Sequence, residues 1–422
     1  MRRSGIFILL LGLIFFCLCA FPGAQSKNVK AAPSGRTVPT EVVVKLNNPD
    51  DLVAVALDYD LDPTPIAQFG ARPIYLLKIV GGDSPNDRAD ALMADLQGRV
   101  AYAEPNFVAE PPEDSGRVLW SAGGGATEYY TQWVPLKIRL PEAHMVTRGA
   151  GNTIAVLDTG VDFNHPQLAG HLLPGYDFID DDNDPTEVGV YGEDRGFGHG
   201  THVTGLVALV APDARIMPIR ILNERGEGSL WTLAQGLLYA VDPDDNLSTN
   251  DGANIINLSL STIERSKLIK DILRAVTCQD ITSPDAFPCI KPGVVVVASA
   301  GNNGYDTLEY PAAEPVSGLI SVGASTEFDT LASFSNFGSW VEIAAPGELV
   351  LSTVPGGGFG TWSGTSMAAP LVAGEAALVR SVLSKSAPSK IIQRITSSSA
   401  DISGAVRERI DTAYAVGLSR LH

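Results

Sequence analysis

A serine set among small residues, Gly364-Thr365-Ser366-Met367-Ala368-Ala369-Pro370, stands near the C-terminal end of the 422-residue chain. So little neighbouring bulk leaves a hydroxyl free to face a bound molecule. The apolar, alanine-rich run 371–379 that follows reads as a buried helix. Ser366 then lies at a helix N-terminus, where the dipole favours developing negative charge. Alone, the heptapeptide is equally a packing turn. Three upstream segments decide between the two. Thr153-Ile154-Ala155-Val156-Leu157 reads as a buried strand that delivers Asp158 at its end, where open α/β sheets place active sites. Gly198-His199-Gly200-Thr201-His202 sets a histidine between glycines at the start of an apolar helical stretch. Val294-Val295-Val296-Val297-Ala298 ends in Ser299-Ala300-Gly301-Asn302-Asn303, which carries a side-chain amide past the sheet edge.

These words, in the order Asp, His, Asn, Ser, resemble the subtilisin-like serine proteases, the subtilases. The matching segments are Ala155-Val156-Leu157-Asp158-Thr159-Gly160-Val161-Asp162, His199-Gly200-Thr201-His202, Ala300-Gly301-Asn302 and the Ser366 heptapeptide, and the likeness runs over about residues 128–415. The Asp…His…Ser order is the one known for subtilisin. The chemistry of the roles stands apart from the family name. A serine hydroxyl is a poor nucleophile at neutral pH and needs a base; an imidazole serves, with an unperturbed pKa of about 6.5. His199 is the candidate base, Asp158 the group that fixes its tautomer, and Asn302 the amide donor to the oxyanion beside the backbone N–H of Ser366.

Neighbouring polar residues read as structural. Asp162 and His165 lie in a turn-like segment. His202, three residues after His199, shares its helix face, yet no Glu or Cys completes a zinc pattern such as H-E-x-x-H. Asn303 is a weaker oxyanion candidate than Asn302, which directly follows the Ala300-Gly301 turn.

The substrate groove reads from two segments. Residues 254–261 form a strand with an exposed end, suited to pairing with an extended peptide. Ser259, Leu260 and Ser261 match the family's Ser-Leu-Gly wall, with Ser261 in place of glycine. Gly226, Gly228 and Leu230 resemble the opposite rim, where Leu230 replaces an aromatic residue of many relatives and implies an apolar, open pocket. Ala300 and Gly301 complete the substrate-binding set, and Tyr310-Pro311-Ala312-Ala313 shapes the floor. Glu227 is either a filter against acidic substrates or a solvated loop charge.

The elements that position these groups alternate: apolar strands at 153–157, 215–221, 254–260, 294–298 and 319–322 are separated by helical stretches. The expected fold is α/β, a mostly parallel central sheet with helices on both faces, in a catalytic domain spanning 128–422. Before it, residues 38–112 read as β-α-β-α-β, a small α+β domain whose end, Ala101 to Phe107, resembles the last strand of subtilase propeptides. Such a segment acts as an intramolecular chaperone and inhibitor, with the maturation cut expected in a linker at 113–127; an accessory domain that stays attached is the alternative. Residues 1–24, basic at Arg2-Arg3 and apolar over 6–20, read as a signal peptide and imply secretion. Cys278 and Cys289 then form a disulfide or remain two buried thiols.

Net charge is −18, from 30 basic and 48 acidic residues, which disfavours nucleic acid and anionic membranes as partners. Protein or peptide substrates and the chain's own propeptide are the expected partners, of a monomer. The chemistry needs no cofactor. The acidic stretch 177–184 resembles a calcium loop of thermostable subtilases, with Asp177, Asp180, Asp182 and Asp184 as ligands; a solvated acidic loop is the alternative. A second calcium site common in subtilisins is expected to be absent, because Gln167 stands for its Asp and no Asn-rich insertion interrupts 203–210. The reading is a secreted serine endopeptidase made as a zymogen; a catalytically silent binding protein, or an esterase or peptide ligase with the same triad, are the alternatives.

Overall fold

The computed structural model describes residues 35–115, 121–246, 249, 251–278, 287, 289 and 293–419. The expected signal peptide, residues 116–120 of the linker and most of the loop between Cys278 and Cys289 lie outside the described residues. Among the described residues, no helix is long and apolar enough to cross a membrane.

Alternating side chains along β-branched strands give a sheet two apolar faces, and both are covered here. Nine strands run in the spatial order Ala400–Asp401, Glu408–Arg409, Ile343–Pro346, Leu319–Ser325, Val295–Ser299, Ile255–Leu258, Thr153–Asp158, Arg215–Arg220 and Tyr176–Asp177. All pairings are parallel except the hairpin of the first two. The register sets Ile255 beside Ile154 and Val295, so like faces stack. Ile154, Val156, Val295, Val297, Ile320 and Val322 pack on one face against the helices His199–Val210 and Thr365–Val382. Ala155, Leu157, Ile256, Leu258 and Val296 face the other way, against the helices Leu230–Val241 and Lys267–Val276. The five expected strands are all present with small shifts at their ends. The histidine helix is a continuous 12-residue element.

The preceding segment folds as a second sheet, ordered Ala67–Gln68, Ile74–Lys78, Thr37–Leu46, Val100–Ala109, and it continues onto the rim strand Gly228–Ser229. Its helices Leu52–Asp58 and Pro85–Met93 cover one face, where Val42, Val44, Leu46 and Leu77 meet Val55 and Leu92. The other face carries Val43, Phe69, Ile74, Leu76, Tyr102 and Phe107 into the core formed by the two helices 230–241 and 267–276. Phe69 stacks on Trp231 with ring centroids 4.2 Å apart. Polar groups lock the same contact. Glu104 accepts from Ser266 Oγ (2.7 Å) and from the N–H groups of Lys267 (2.7 Å) and Leu268 (3.1 Å), capping one helix, while Asn106 Oδ1 accepts from Trp231 N–H (3.1 Å) at the start of the other.

Candidate active site

Each of the four sequence candidates leaves a regular element at the same edge of the sheet. Asp158 is the last residue of its strand, and its Oδ1 accepts from Thr159 N–H (2.8 Å) and from His199 Nδ1–H (2.7 Å). His199 opens its helix behind Gly198. Ser366 is the second residue of the helix Thr365–Val382, so its own N–H has no partner within the helix. Asn302 follows the strand Val295–Ser299, and its Oδ1 accepts both the N–H and the hydroxyl of Thr365 at 2.9 Å. With the oxygen thus held, the amide N–H₂ is turned toward Ser366. All four side chains are buried.

The group they converge on comes from the preceding segment. Glu113 Oε2 lies 2.8 Å from Ser366 Oγ and 3.3 Å from His199 Nε2, and Oε1 lies 3.0 Å from Asn302 Nδ2. The carboxylate therefore stands between the candidate nucleophile and the candidate base, on the candidate oxyanion donor. A Cβ on Gly364 would land on this carboxylate, so only glycine leaves room for it. Burial pulls the pKa of His199 down, but the carboxylates of Asp158 at Nδ1 and Glu113 near Nε2 outweigh it and raise it to about 10. Sequence reasoning left Glu113 in the linker, because nothing local marks it.

A second carboxylate escaped the sequence reading. Glu187 is buried and accepts from Gly198 N–H (3.0 Å), Thr201 N–H (2.9 Å), Thr201 Oγ1 (2.6 Å) and Thr159 Oγ1. It clamps the loop after Asp158 to the first turn of the histidine helix. Burial pushes its pKa up to about 7, against the pull of its donors.

The neighbours weighed in the sequence take structural positions. His202 Nε2–H donates to Gly360 O (3.0 Å) and Val350 O (3.2 Å); burial and the adjacent His199 lower its pKa to about 3, so the ring is neutral. His165 Nε2–H donates to Gly358 O at 2.7 Å, and Asp162 accepts from Gly356 N–H at 2.9 Å. Asn303 Nδ2 donates to Glu309 at 2.7 Å and faces away from Ser366.

On the groove walls, Glu110 pairs antiparallel with Ser261 (N–O distances 3.1 and 2.9 Å), and Val108 and Ala109 pair with Ser229 and Gly228. Arg36 joins Glu110 to Glu227, at 2.9 and 2.6 Å. Ser259 Oγ donates to Ser366 O (2.9 Å), Gly301 N–H to Thr365 Oγ1 (3.1 Å), and Gly226 closes a turn at φ +80°. Leu260 and Ala300 are buried. Leu230 is buried as the first residue of its helix, in the apolar cluster that also holds Phe107 and Ala109 of the preceding segment. On the other rim a buried carboxylate, Glu309, bonds to Ser261 Oγ at 2.6 Å.

The calcium expectation needs correction. Asp177 Oδ2 and Asp180 Oδ2 both take Arg220 Nη1, at 2.5 and 2.6 Å, while Asp182 caps Asp184 N–H (2.8 Å) and Asp184 pairs with Thr186 Oγ1 at 2.5 Å. Among the described residues these four aspartates form no converging group; two of them pair with Arg220 instead. Among the described residues, the acidic side chains that do converge are Asp242, Asp244 and Asp251. Cys278 and Cys289 are joined by a disulfide.

Residues 149–417 match the Subtilase family (Peptidase_S8). The chain is 38% identical over 294 residues to a thermophilic serine proteinase of Bacillus sp. (strain AK1), covering 67% of this chain and 63% of that protein. It is 38% identical over 261 residues to thermitase of Thermoactinomyces vulgaris, covering 59% of this chain and 82% of thermitase. In fold it is similar to fervidolysin from Fervidobacterium pennivorans (TM-score 0.71, 22% identity), which covers 92% of this chain and 62% of the fervidolysin chain. The match thus spans less than two thirds of the length of the Bacillus proteinase and of fervidolysin. With its parallel sheet and its Asp, His, Asn and Ser gathered at one edge, the chain belongs to the subtilase family.

Proposed function

We propose that the protein is a serine endopeptidase, made as a precursor whose residues 35–113 fold on the enzyme and block it. The observation that carries this is the meeting of Ser366 Oγ, His199 Nε2 and Asn302 Nδ2 on one carboxylate, that of Glu113. In the released enzyme, Ser366 Oγ attacks the carbonyl carbon of a peptide bond as His199 Nε2 takes its proton. Asp158 holds the imidazole by Nδ1 and stabilises the imidazolium. The carbonyl oxygen becomes the oxyanion and is bound by Asn302 Nδ2 and the Ser366 N–H. His199 then gives its proton to the leaving amine, and water repeats the sequence on the acyl-enzyme. No cofactor is needed for these steps.

The path of the preceding segment supports the precursor reading. It lies along both groove rims, as an extended substrate would, and ends with a carboxylate at the oxyanion donor. A protonated His199 cannot act as a base, so the raised pKa adds to the block. Release requires a cut after Glu113, within the linker 113–127 where the sequence places the maturation cut. Secretion is supported by the apolar run 6–20 and by the disulfide, which suits an oxidising compartment.

The test is Ser366→Ala in the full chain. The variant is expected to accumulate as uncut precursor, while the parent matures and its Ser366 takes up a fluorophosphonate. Maturation of the purified variant at the parental rate would refute self-processing, and a matured parent whose Ser366 resists the label would refute the peptidase.

A further inference from the structure

Extended peptide in the groove pairs with the rims Gly228-Ser229 and Ser261; two walls, Ser259-Leu260-Ser261 and Ala300-Gly301-Asn302, lead from it to Ser366. The side chain just before the cleaved bond must enter between them, since Asn302 and Ser366 hold the carbonyl of that same residue. Glu309 lies across this entry. Its Oε2 accepts from Ser261 Oγ at 2.6 Å on one wall. On the other, Gly301 adopts φ +99°, and a Cβ there would land on the Glu309 carboxylate and on Asn336 Nδ2. Oε1 accepts from Asn303 Nδ2 and Asn336 Nδ2, both at 2.7 Å. The backbone pairing of Thr262 with Tyr310, 2.8 Å in each direction, ties the Glu309 loop to the end of the first wall.

All three donors to Glu309 are neutral, and the carboxylate is only 3% exposed. None of the ion pairs among the described residues involves it. The basic residue beyond Tyr310, Arg265, is held by Glu314 at 2.8 and 2.9 Å. Buried carboxylates are ordinarily matched by a cation, because neutral hydrogen bonds alone replace their hydration poorly. Here the described residues supply no such cation, and the carboxylate bridges the two walls at the entry, bonded to Ser261 on one and packed against Gly301 on the other.

We propose that Glu309 is a specificity-determining residue that selects a cationic side chain, lysine or arginine, immediately before the cleaved bond. This rests on the peptidase reading above. A guanidinium or ammonium entering between the walls supplies the charge that Glu309 lacks, by a charge-assisted hydrogen bond to Oε2. Ser261 and the two asparagines fix the carboxylate so that little is lost in ordering it when the substrate arrives.

The experiment uses the full chain after its own maturation and matched peptides differing only at that residue: arginine, its neutral isostere citrulline, lysine, methionine and alanine. Arginine is expected to exceed citrulline in kcat/KM by ~tenfold or more, with lysine above methionine. Glu309→Gln is expected to bring both ratios close to one while alanine peptides are still cut. Equal cleavage of arginine and citrulline by the parent enzyme overturns the proposal without need of any variant. So does a preference for alanine over all larger residues, which would mean that Glu309 merely fills the cleft, or ratios that Glu309→Gln leaves unchanged. Fluorophosphonate labelling of Ser366 separates the two levels: a labelled enzyme without charge preference refutes only Glu309, whereas an unlabelled one refutes the peptidase reading itself.

Discussion

Among single residues outside the four candidates, Glu113 bears most directly on the chemistry, because its carboxylate touches Ser366, His199 and Asn302 at once. Replacing it by glutamine removes one of the two charges that hold the His199 pKa up at about 10. The sign follows directly. A raised histidine pKa adds stability that is complete below the unfolded value of about 6.5 and is lost as pH rises through about 10. Precursor stability is therefore expected to fall across that window, and Glu113→Gln to narrow it from the top. In Ser366→Ala precursor, the His199 ring resonances followed by NMR should titrate lower with Glu113→Gln than without it. In otherwise unmodified precursor, Glu113→Gln should speed fluorophosphonate labelling of Ser366 by ~tenfold or more, the equivalent of one lost charge-assisted contact. Equal labelling rates would show that the carboxylate is a bystander. The four residues proposed for the chemistry stand out in the sequence, since each sits in a short run of small or apolar neighbours that the chemistry requires. Glu113 and Glu309 were not, because an isolated glutamate in a loop has no local signature.

At the scale of elements, the strand pair Arg215–Arg220 and Tyr176–Asp177 shows how a sheet register overrides a loop composition. Parallel pairing sets Arg220 beside Asp177, and the guanidinium reaches both Asp177 and Asp180. Arg220 and Asp177 are each 2% exposed, so removing one leaves the other charge buried and alone. Arg220→Met is expected to cost about 3–5 kcal/mol of stability, read by denaturant melts of the mature enzyme. A cost below about 1 kcal/mol would mean that Asp177 finds water or another partner. The acidic run resembled a calcium loop because oxygen ligands and arginine-binding carboxylates look the same in a sequence. Strands and helices were read more securely, since periods of two and of 3.6 persist over many residues; their ends shifted where capping decided them, as with Ser229 and Thr232 at the start of the helix Leu230–Val241.

Over the whole molecule, the preceding segment is a sheet that can cover only one of its faces. Val42, Val44 and Leu77 meet its own helices, but Phe69, Tyr102 and Phe107 need the helices 230–241 and 267–276 of the following domain. Separated from the rest of the chain, it would expose that aromatic face, so on the precursor reading its folding and the proposed inhibition are coupled. Glu104 is the polar key of this contact, with three hydrogen bonds at the helix start. Glu104→Ala is expected to weaken the hold by about 1–2 kcal/mol, the cost of a lost cap. That corresponds to ~tenfold weaker inhibition when the segment is added in trans to mature enzyme. Unchanged inhibition would place the binding energy in the aromatic face alone.

The sequence by itself determined the α/β alternation and marked the four residues proposed to carry the chemistry. These depend on local periodicity and on short motifs whose small residues are themselves a chemical requirement. Only the tertiary structure decided what those residues touch. Glu113 meets Ser366 across 253 positions, Glu309 meets Ser261 across 48, and Arg220 meets Asp177 across 43. A charged side chain can satisfy itself in water, with a metal or with any opposite charge, and the sequence does not record which. The choice is made by packing, which strips away water and leaves each buried carboxylate with whatever donors the fold has placed within reach.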